Sequence, residues 1–223
     1  MNQGVLMTKG LQLLLFFVSL SCGATQVWGG CGASSLGIYE PLEDDVYSEV
    51  ISQGEYLIDS DGKVDFFGKE LTAEQLSPIL CCLGSLEDNN ANRIKKIRLS
   101  KNNLTELPAE IRQLKNLEEL MLSFNQLAEL PDVFDKLKKL EVIYLRENEL
   151  SKNALRNICK SPNLKWLDLS FNKLMELPEE IGELQKLEII DITGNHLDKE
   201  KVQELVGNSV EIRNAPGEDT PRK

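Results

Sequence analysis

Residues 117–127 read Leu-Glu-Glu-Leu-Met-Leu-Ser-Phe-Asn-Gln-Leu, and the spacing of their leucines and asparagine recurs along the chain. The shared pattern is Leu-x-x-Leu-x-Leu-x-x-Asn-x-Leu, in which Ile replaces Leu at some positions. Successive copies begin 23, 23, 24 and 23 residues apart, at Ile94, Leu117, Leu140, Leu164 and Leu187. Self-similarity at a fixed period in this range is typical of a solenoid, to which each repeat adds one coil.

Each position of the pattern has a structural explanation. The alternating Leu-x-Leu predicts a short strand with its leucines on one face and the intervening residues on the other. Stacked repeats would pair these strands into a parallel sheet and share a core that no single repeat could bury. The asparagine follows the strand, where its amide can satisfy backbone groups of adjacent coils. We interpret the resulting column as a structural ladder rather than a catalytic set, and its members are Asn102, Asn125, Asn148, Asn172 and Asn195.

The second half of three repeats carries a further motif. Residues 107–111 read Leu-Pro-Ala-Glu-Ile, residues 130–134 Leu-Pro-Asp-Val-Phe and residues 177–181 Leu-Pro-Glu-Glu-Ile. Over about residues 94–197 the chain thus resembles leucine-rich repeat proteins, in particular the subtype with 23-residue repeats carrying Leu-Pro-x-x-Ile. The resemblance implies an α/β solenoid, a curved superhelix with a parallel β-sheet on the concave face and short helices or turns on the convex face.

The third repeat departs from this motif. Residues 150–160 lack Leu-Pro and contain one extra residue, so we expect a fuller helix there. The apolar spacing within that segment predicts that Ala154, Leu155 and Ile158 face the core.

An atypical N-terminal repeat or cap is predicted for residues 56–93. Residues 64–71 read Val-Asp-Phe-Phe-Gly-Lys-Glu-Leu, which fits the second half of the pattern with Lys69 in place of the asparagine. Degenerate end repeats are expected because one of their sides meets solvent. The sequence after residues 64–71 predicts a helix that is capped by Thr72 and runs towards Leu83.

Residues 94–213 are predicted to hold the five repeats and a C-terminal cap. The cap consists of a closing helix from Lys199 to Val206 and an edge strand at residues 210–212. Residues 214–223 contain two prolines, one glycine and several charges, and we predict a disordered tail there.

The N-terminus has the composition of a targeting segment. Residues 1–24 contain one charged side chain, Lys9, followed by an apolar run over residues 11–20 and then small residues. The run is shorter than the roughly 20 residues of a normal membrane span. A start at Met1 or at Met7 retains this pattern. We therefore predict export.

Two processing routes are open, with an uncleaved anchor as a third. One is cleavage after Ala24, and the other is lipoprotein processing just before Cys22, which would carry the lipid. Residues 19–22 resemble a bacterial lipobox, in which the last two residues match but Ser19 stands where Leu is usual. Residues 25–55 would then be a flexible acidic linker, because they combine glycines with a Glu- and Asp-rich stretch.

Charge and composition exclude several classes of function. A formal net charge of −11 argues against nucleic acid or an anionic membrane surface, since both need clustered Lys and Arg. The cysteines lack the spacing of a metal site and of the caps of animal extracellular leucine-rich repeat proteins, which favours similarity to exported bacterial ones. The single histidine, His196, has no obvious acid or nucleophile partner. We therefore predict no enzyme, no metal and no cofactor.

A binding surface is predicted on the concave face, where residues between the core leucines form columns down the sheet. Large aromatic residues with Met, rimmed by charges, are the composition of a protein-contact hot spot. Lys95 and Lys101 add charge to a basic end, and we expect an acidic end opposite. The candidate partner-binding residues are Lys96, Arg98, Met121, Val142, Tyr144, Trp166, Asp168 and Asp191. The alternative for these residues is local cross-strand packing. For Phe124 and Phe171, which lie next to ladder asparagines, we predict partly buried spine packing rather than partner contacts.

These observations predict a monomeric module that binds a protein partner on its concave face and is lipid-anchored in the cell envelope or secreted. The alternative is an intracellular scaffold regulating a GTPase or a phosphatase, as the Leu-Pro-x-x-Ile motif resembles that of cytosolic repeat proteins. In that case the apparent leader would reflect a wrongly assigned start.

Overall fold

The structure is a computed structural model that describes residues 58–85 and 93–214. All of them belong to one compact unit, Glu55–Lys223. The predicted leader with Cys22, the predicted linker and residues 215–223 of the predicted tail lie outside the described residues.

Seven short strands form one parallel sheet in which each strand pairs with the next along the chain. In sheet order they are β1 Lys63–Asp65, β2 Lys96–Arg98, β3 Glu119–Met121, β4 Val142–Tyr144, β5 Trp166–Asp168, β6 Ile189–Asp191 and β7 Glu211–Arg213. The chain makes one coil between neighbouring strands, which confirms the curved α/β solenoid with its sheet on the concave face.

The sheet register follows from burial of one apolar residue in each strand. The middle residues align as Val64, Ile97, Leu120, Ile143, Leu167, Ile190 and Ile212. Their side chains are buried in the core, with exposed fractions from 0% to 9%. A register slip of one residue would turn this whole row towards solvent, so the core fixes the pairing.

The convex side of the three Leu-Pro repeats consists of short 3₁₀ helices. These are Ala109–Gln113, Phe134–Lys136 and Glu179–Glu183. Pro108 and Pro178 sit at the caps of the first and third, where the fixed φ and missing N–H of proline are tolerated. Each helix buries one large apolar side chain, contributed by Ile111, Phe134 and Ile181.

The third repeat forms a true α-helix, α2, over Lys152–Ile158, and it follows helix α1, Ala73–Ser85, along the chain. Its predicted inward residues Ala154, Leu155 and Ile158 are each 0% exposed, which confirms that prediction. The Ser151 side chain accepts a hydrogen bond of 3.1 Å from the N–H of Ala154 and so caps the helix.

Both ends of the described unit are close to the predicted elements. Helix α1 spans Ala73–Ser85, and the Thr72 N–H donates to Gln75 Oε1 at 2.9 Å in half of a capping box. Helix α3 spans Lys199–Val206, with the predicted bounds. The last strand, β7, lies one residue later than predicted, because Ile212 rather than its neighbours enters the buried row.

The five asparagines line up along the sheet edge where the strands end, and each bridges two coils. The Asn125 side-chain amide donates to the carbonyls of Leu122 at 2.8 Å and Leu99 at 3.1 Å, while its oxygen accepts from the Leu104 N–H at 3.2 Å. Leu99 O accepts a second bond, of 2.8 Å, from Asn102. Because neighbouring rungs share carbonyls in this way, the ladder satisfies buried backbone groups that no strand pairing reaches.

The position before each ladder asparagine has a left-handed backbone. Positive φ values of 53° to 71° occur at Gly68, Lys101, Phe124, Glu147, Phe171 and Gly194. The chain must turn sharply out of the strand here, and glycine adopts this conformation without steric cost. Four of the repeats nevertheless place a larger residue at this position.

Candidate functional site

Two columns of side chains project from the concave face of the sheet. The first column contains Lys63, Lys96, Glu119, Val142, Trp166, Ile189 and Glu211. The second contains Asp65, Arg98, Met121, Tyr144, Asp168, Asp191 and Arg213. The strand register therefore brings the candidate partner-binding residues into the two columns that the sequence predicts, and adds β1 and β7 at the two ends.

An aromatic pair lies at the centre of this face. The ring centroids of Tyr144 and Trp166, on adjacent strands, are 6.3 Å apart with an interplanar angle of 50°. Both residues are half-buried, as are Met121 and Val142 beside them. We call these four residues, Met121, Val142, Tyr144 and Trp166, the aromatic patch. Aromatic pairs in this geometry contribute about 0.5–1.5 kcal/mol beyond the area they bury.

Arg213 holds one side of the aromatic patch. Its guanidinium carbon lies 4.6 Å from the Trp166 ring centroid, a cation–π arrangement. A hydrogen bond of 2.8 Å from Arg213 Nε to Glu211 fixes the guanidinium. The sequence prediction missed Arg213, because the last strand was placed one residue too early to bring Arg213 into the column.

Two polar groups of the aromatic patch are shielded from water. Trp166 Nε1 is buried and has no hydrogen-bond partner in the described part of the chain. Burial raises the pKa of the Tyr144 hydroxyl, and the nearby Glu119 and Asp168 raise it further. Buried donors are usually satisfied, so the unpaired indole N–H is a cost that the packing of Trp166 must offset.

The expected basic end of the face is largely neutralised. Lys96 Nζ lies 3.0 Å from Glu119, Lys95 Nζ 3.5 Å from Glu118, and Arg98 3.4 Å from Asp65. A hydrogen bond from Lys96 to Glu119 and the charge of that carboxylate raise the pKa of the lysine. These exposed pairs contribute little to stability. The predicted basic end is therefore reduced in net charge at these three residues, because a carboxylate of a neighbouring coil pairs with each.

The expected acidic end is also corrected. Asp168 and Asp191 are 1% and 4% exposed, so they do not form a charged rim. Asp168 Oδ1 accepts from the Ser170 N–H at 2.9 Å and from its hydroxyl at 2.6 Å. Asp191 accepts in the same way from the Thr193 N–H at 2.9 Å. The Asp-x-Ser and Asp-x-Thr spacing is the signal for such local hydrogen bonds, which turn the carboxylates back along the chain.

Three phenylalanines lie at the edge of the face where the strands end. Phe67, Phe124 and Phe171 are 37%, 38% and 38% exposed. Arg98 lies over the Phe67 ring at 4.0 Å and Arg146 over the Phe171 ring at 4.3 Å. We predicted partly buried spine packing for Phe124 and Phe171, and more than a third of each residue is exposed to solvent.

The described part of the chain contains neither a metal site nor a membrane-spanning helix. Residues 58–85 and 93–214 contain no group of three or more His, Cys, Asp or Glu side chains that could hold a metal ion. Within the same residues no helix is long and apolar enough to span a bilayer. His196 is exposed, and its backbone N–H donates a hydrogen bond of 2.8 Å to the Leu174 carbonyl.

Comparison with known proteins agrees with the architecture. Residues 92–150 match one family model described as "Leucine rich repeat", and residues 163–184 match another with the same description. The parallel solenoid and these two matches show a leucine-rich repeat fold in the described part of the chain. Folds of this class are generally non-catalytic binding scaffolds. No protein among curated sequences matches this chain.

Several solved structures are similar to it at low sequence identity. A leucine-rich repeat protein of Leptospira interrogans is 24% identical with a TM-score of 0.43, over 68% of this chain and 48% of that one. TLR13, solved in complex with ssRNA13, is 21% identical with a TM-score of 0.53, over 71% and 22%. An internalin (inlF) of Listeria monocytogenes is 14% identical with a TM-score of 0.49, over 70% and 48%. This chain spans less than half the length of each, and the TLR13 comparison supports the fold alone.

Proposed function

We propose that this chain is a non-catalytic module that binds a protein partner on its concave face through the aromatic patch. The observation that carries the proposal is the Tyr144 and Trp166 pair, whose half-buried rings meet 6.3 Å apart on the open face of the sheet. Tyr and Trp present a large rigid apolar surface together with a polar group, and they dominate the energetics of protein interfaces.

The surroundings of the patch support a protein ligand. Ion pairs at Lys96 and Arg98 offset positive charge beside the apolar centre. The indole N–H of Trp166 is buried, so the ring offers a partner mainly its apolar surface. A polar rim around a central aromatic anchor is the usual anatomy of a protein interface.

A double substitution tests the proposal. Tyr144→Ala with Trp166→Ala in the full chain should abolish capture of the partner from extracts of the source cells, or weaken it at least about tenfold, because hot-spot truncations cost 2 kcal/mol or more. Met175→Ala is the matched control, since Met175 is 78% exposed and lies outside the strands. Unchanged capture by the double variant would reject the aromatic patch, provided that its circular dichroism matches the parent.

We further propose that the module belongs to the 23-residue subtype and is exported, either lipid-anchored through Cys22 or secreted after cleavage at Ala24. Support comes from the apolar run over residues 11–20 and the small residues that follow it. Cell fractionation with intact mass measurement tests this proposal. A shortened or lipid-labelled chain in the envelope would agree with it, whereas a full-length chain in the soluble fraction would favour the intracellular scaffold.

A further inference from the structure

The strand ends carry large side chains on a left-handed backbone. Lys101 and Phe124 adopt φ values of 58° and 60°, as Glu147 and Phe171 do at 53° and 57°, whereas two other repeats have Gly68 and Gly194 at this position. A bulky side chain in this region is unusual, and residues held in such conformations concentrate at ligand-binding sites. Glycine would be less strained at both positions.

The strained residues Lys101 and Phe124 lie next to Phe67 and Arg98, and together these four form what we call the rim site. The Lys101 ammonium is 5.3 Å from the Phe67 ring centroid and 5.7 Å from that of Phe124, so it lies between two exposed aromatic rings. Arg98 covers the Phe67 ring at 4.0 Å. Cation–π contacts of this kind hold the two charges in place while leaving their outer sides in solvent.

The rim site carries an excess of positive charge. Asp65 is shared by two cations, at 2.7 Å from Lys63 and 3.4 Å from Arg98. Lys101 makes no ion pair within residues 58–85 and 93–214. Among Lys63, Arg98 and Lys101, the first two therefore share one ion-pairing carboxylate and the third has none among the described residues, in a protein whose formal net charge is −11. Repulsion from distant acidic residues is screened beyond about 8 Å at physiological salt, so the local excess decides what binds here.

We propose that the rim site binds an acidic segment of a protein, with a carboxylate on Lys101 and a neighbouring apolar side chain against Phe67 and Phe124. Charge complementarity selects the carboxylate, and the two exposed rings select the apolar neighbour. The proposal rests on the proposed function in taking a protein as the ligand, but it does not use Tyr144 or Trp166. Single-stranded nucleic acid also stacks on aromatic rings beside cations, but it needs a basic groove that follows several phosphates. Lys96 and Arg98 on the adjoining strand are already ion-paired, so the face offers no such groove there.

The test uses fluorescence anisotropy of a labelled peptide with alternating Glu and Leu, titrated with the full chain at 20 mM and 150 mM salt. We expect saturable binding that Lys101→Gln weakens about tenfold. Lys101→Arg should retain binding. Lys115→Gln, which removes an exposed lysine elsewhere, should change it less than about twofold. Phe124→Asn should also weaken it, because asparagine tolerates the positive φ but removes the ring.

Three results would overturn the proposal. They are equal binding of a peptide with Gln in place of Glu, equal loss of binding in Lys101→Gln and Lys115→Gln, and tighter binding of a labelled oligouridine than of the acidic peptide. Thermal melts of each variant would show that it is folded. The Tyr144→Ala and Trp166→Ala double variant should bind the peptide normally, so failure of the rim site and failure of the aromatic patch give different results.

Discussion

Asn148 offers a direct test of how the ladder stabilises the solenoid. Its side-chain oxygen accepts from the Leu127 N–H at 3.0 Å, and its amide donates to the carbonyls of Leu122 at 3.1 Å and Leu145 at 3.0 Å. The residue is 4% exposed, so water does not replace these bonds easily. Replacing Asn148 by Ala removes these three hydrogen bonds together with a longer one, of 3.4 Å, from its amide to the Arg146 carbonyl.

The backbone groups that lose their hydrogen bonds to Asn148 are not affected equally. The Leu122 carbonyl keeps a bond of 2.8 Å from Asn125, and the Leu145 carbonyl keeps one of 2.9 Å from Asn172. The Leu127 N–H is the group left buried without a partner, which costs about 1–3 kcal/mol. The two lost donations add about 0.5–1.5 kcal/mol each, so we expect a loss of about 3 kcal/mol in the free energy of unfolding.

Urea unfolding followed by circular dichroism and by tryptophan fluorescence would measure this loss. A change of about 3 kcal/mol corresponds to a fall in Tm of roughly 6–12 °C for a domain of this size. Asn153→Ala is the matched control, because Asn153 is exposed and bonds Glu129 at 3.3 Å on the surface, so its effect should stay within about 0.5 kcal/mol. A loss below about 1 kcal/mol for Asn148→Ala would refute the ladder as a source of stability.

Three further predictions concern other parts of the fold. Burial raises the pKa of Asp168 above its ordinary 3.8. The stability from this carboxyl is then greatest at low pH and is lost as pH rises through the raised pKa. In urea titrations, Asp168→Asn should therefore increase the free energy of unfolding most at neutral pH, and the increase should become smaller towards pH 4. Glu147→Gly should stabilise the chain in thermal melts, because φ is 53° there and the ion pair to Arg146 is exposed; a lower Tm would contradict the strain. Ser151→Ala should lower the free energy of unfolding by about 1 kcal/mol in urea, since it removes the cap of α2.

The five ladder asparagines and the buried row of the sheet were predictable from the sequence. Both depend on contacts that repeat at a fixed spacing, so one repeat predicts the environment of the next. The missing Leu-Pro of the third repeat predicted helix α2 for the same reason, because a local departure from the period produces a local change in the coil. The register also places Tyr144 and Trp166 on neighbouring strands in adjacent columns, so their proximity followed from the sequence.

Charges on the concave face were not predictable in this way. The sequence places Lys96 and Arg98 on the face, but their ion pairs with Glu119 and Asp65 depend on side-chain rotamers on neighbouring strands. The burial of Asp168 likewise depends on a hydrogen bond that turns its carboxylate away from solvent.

The sequence by itself determined the solenoid, its register and the ladder, because a repeated hydrophobic period fixes which backbone positions stack. Only the tertiary structure decided which of the surface residues are available to a partner. It placed Arg213 over Trp166 and Lys101 between two phenylalanine rings. These contacts depend on the rotamers of side chains on different coils, which the spacing of the sequence does not fix. The physical reason is that the core is set by the alternation of apolar residues along each strand, whereas exposure and pairing on the open face are set by neighbours one coil away.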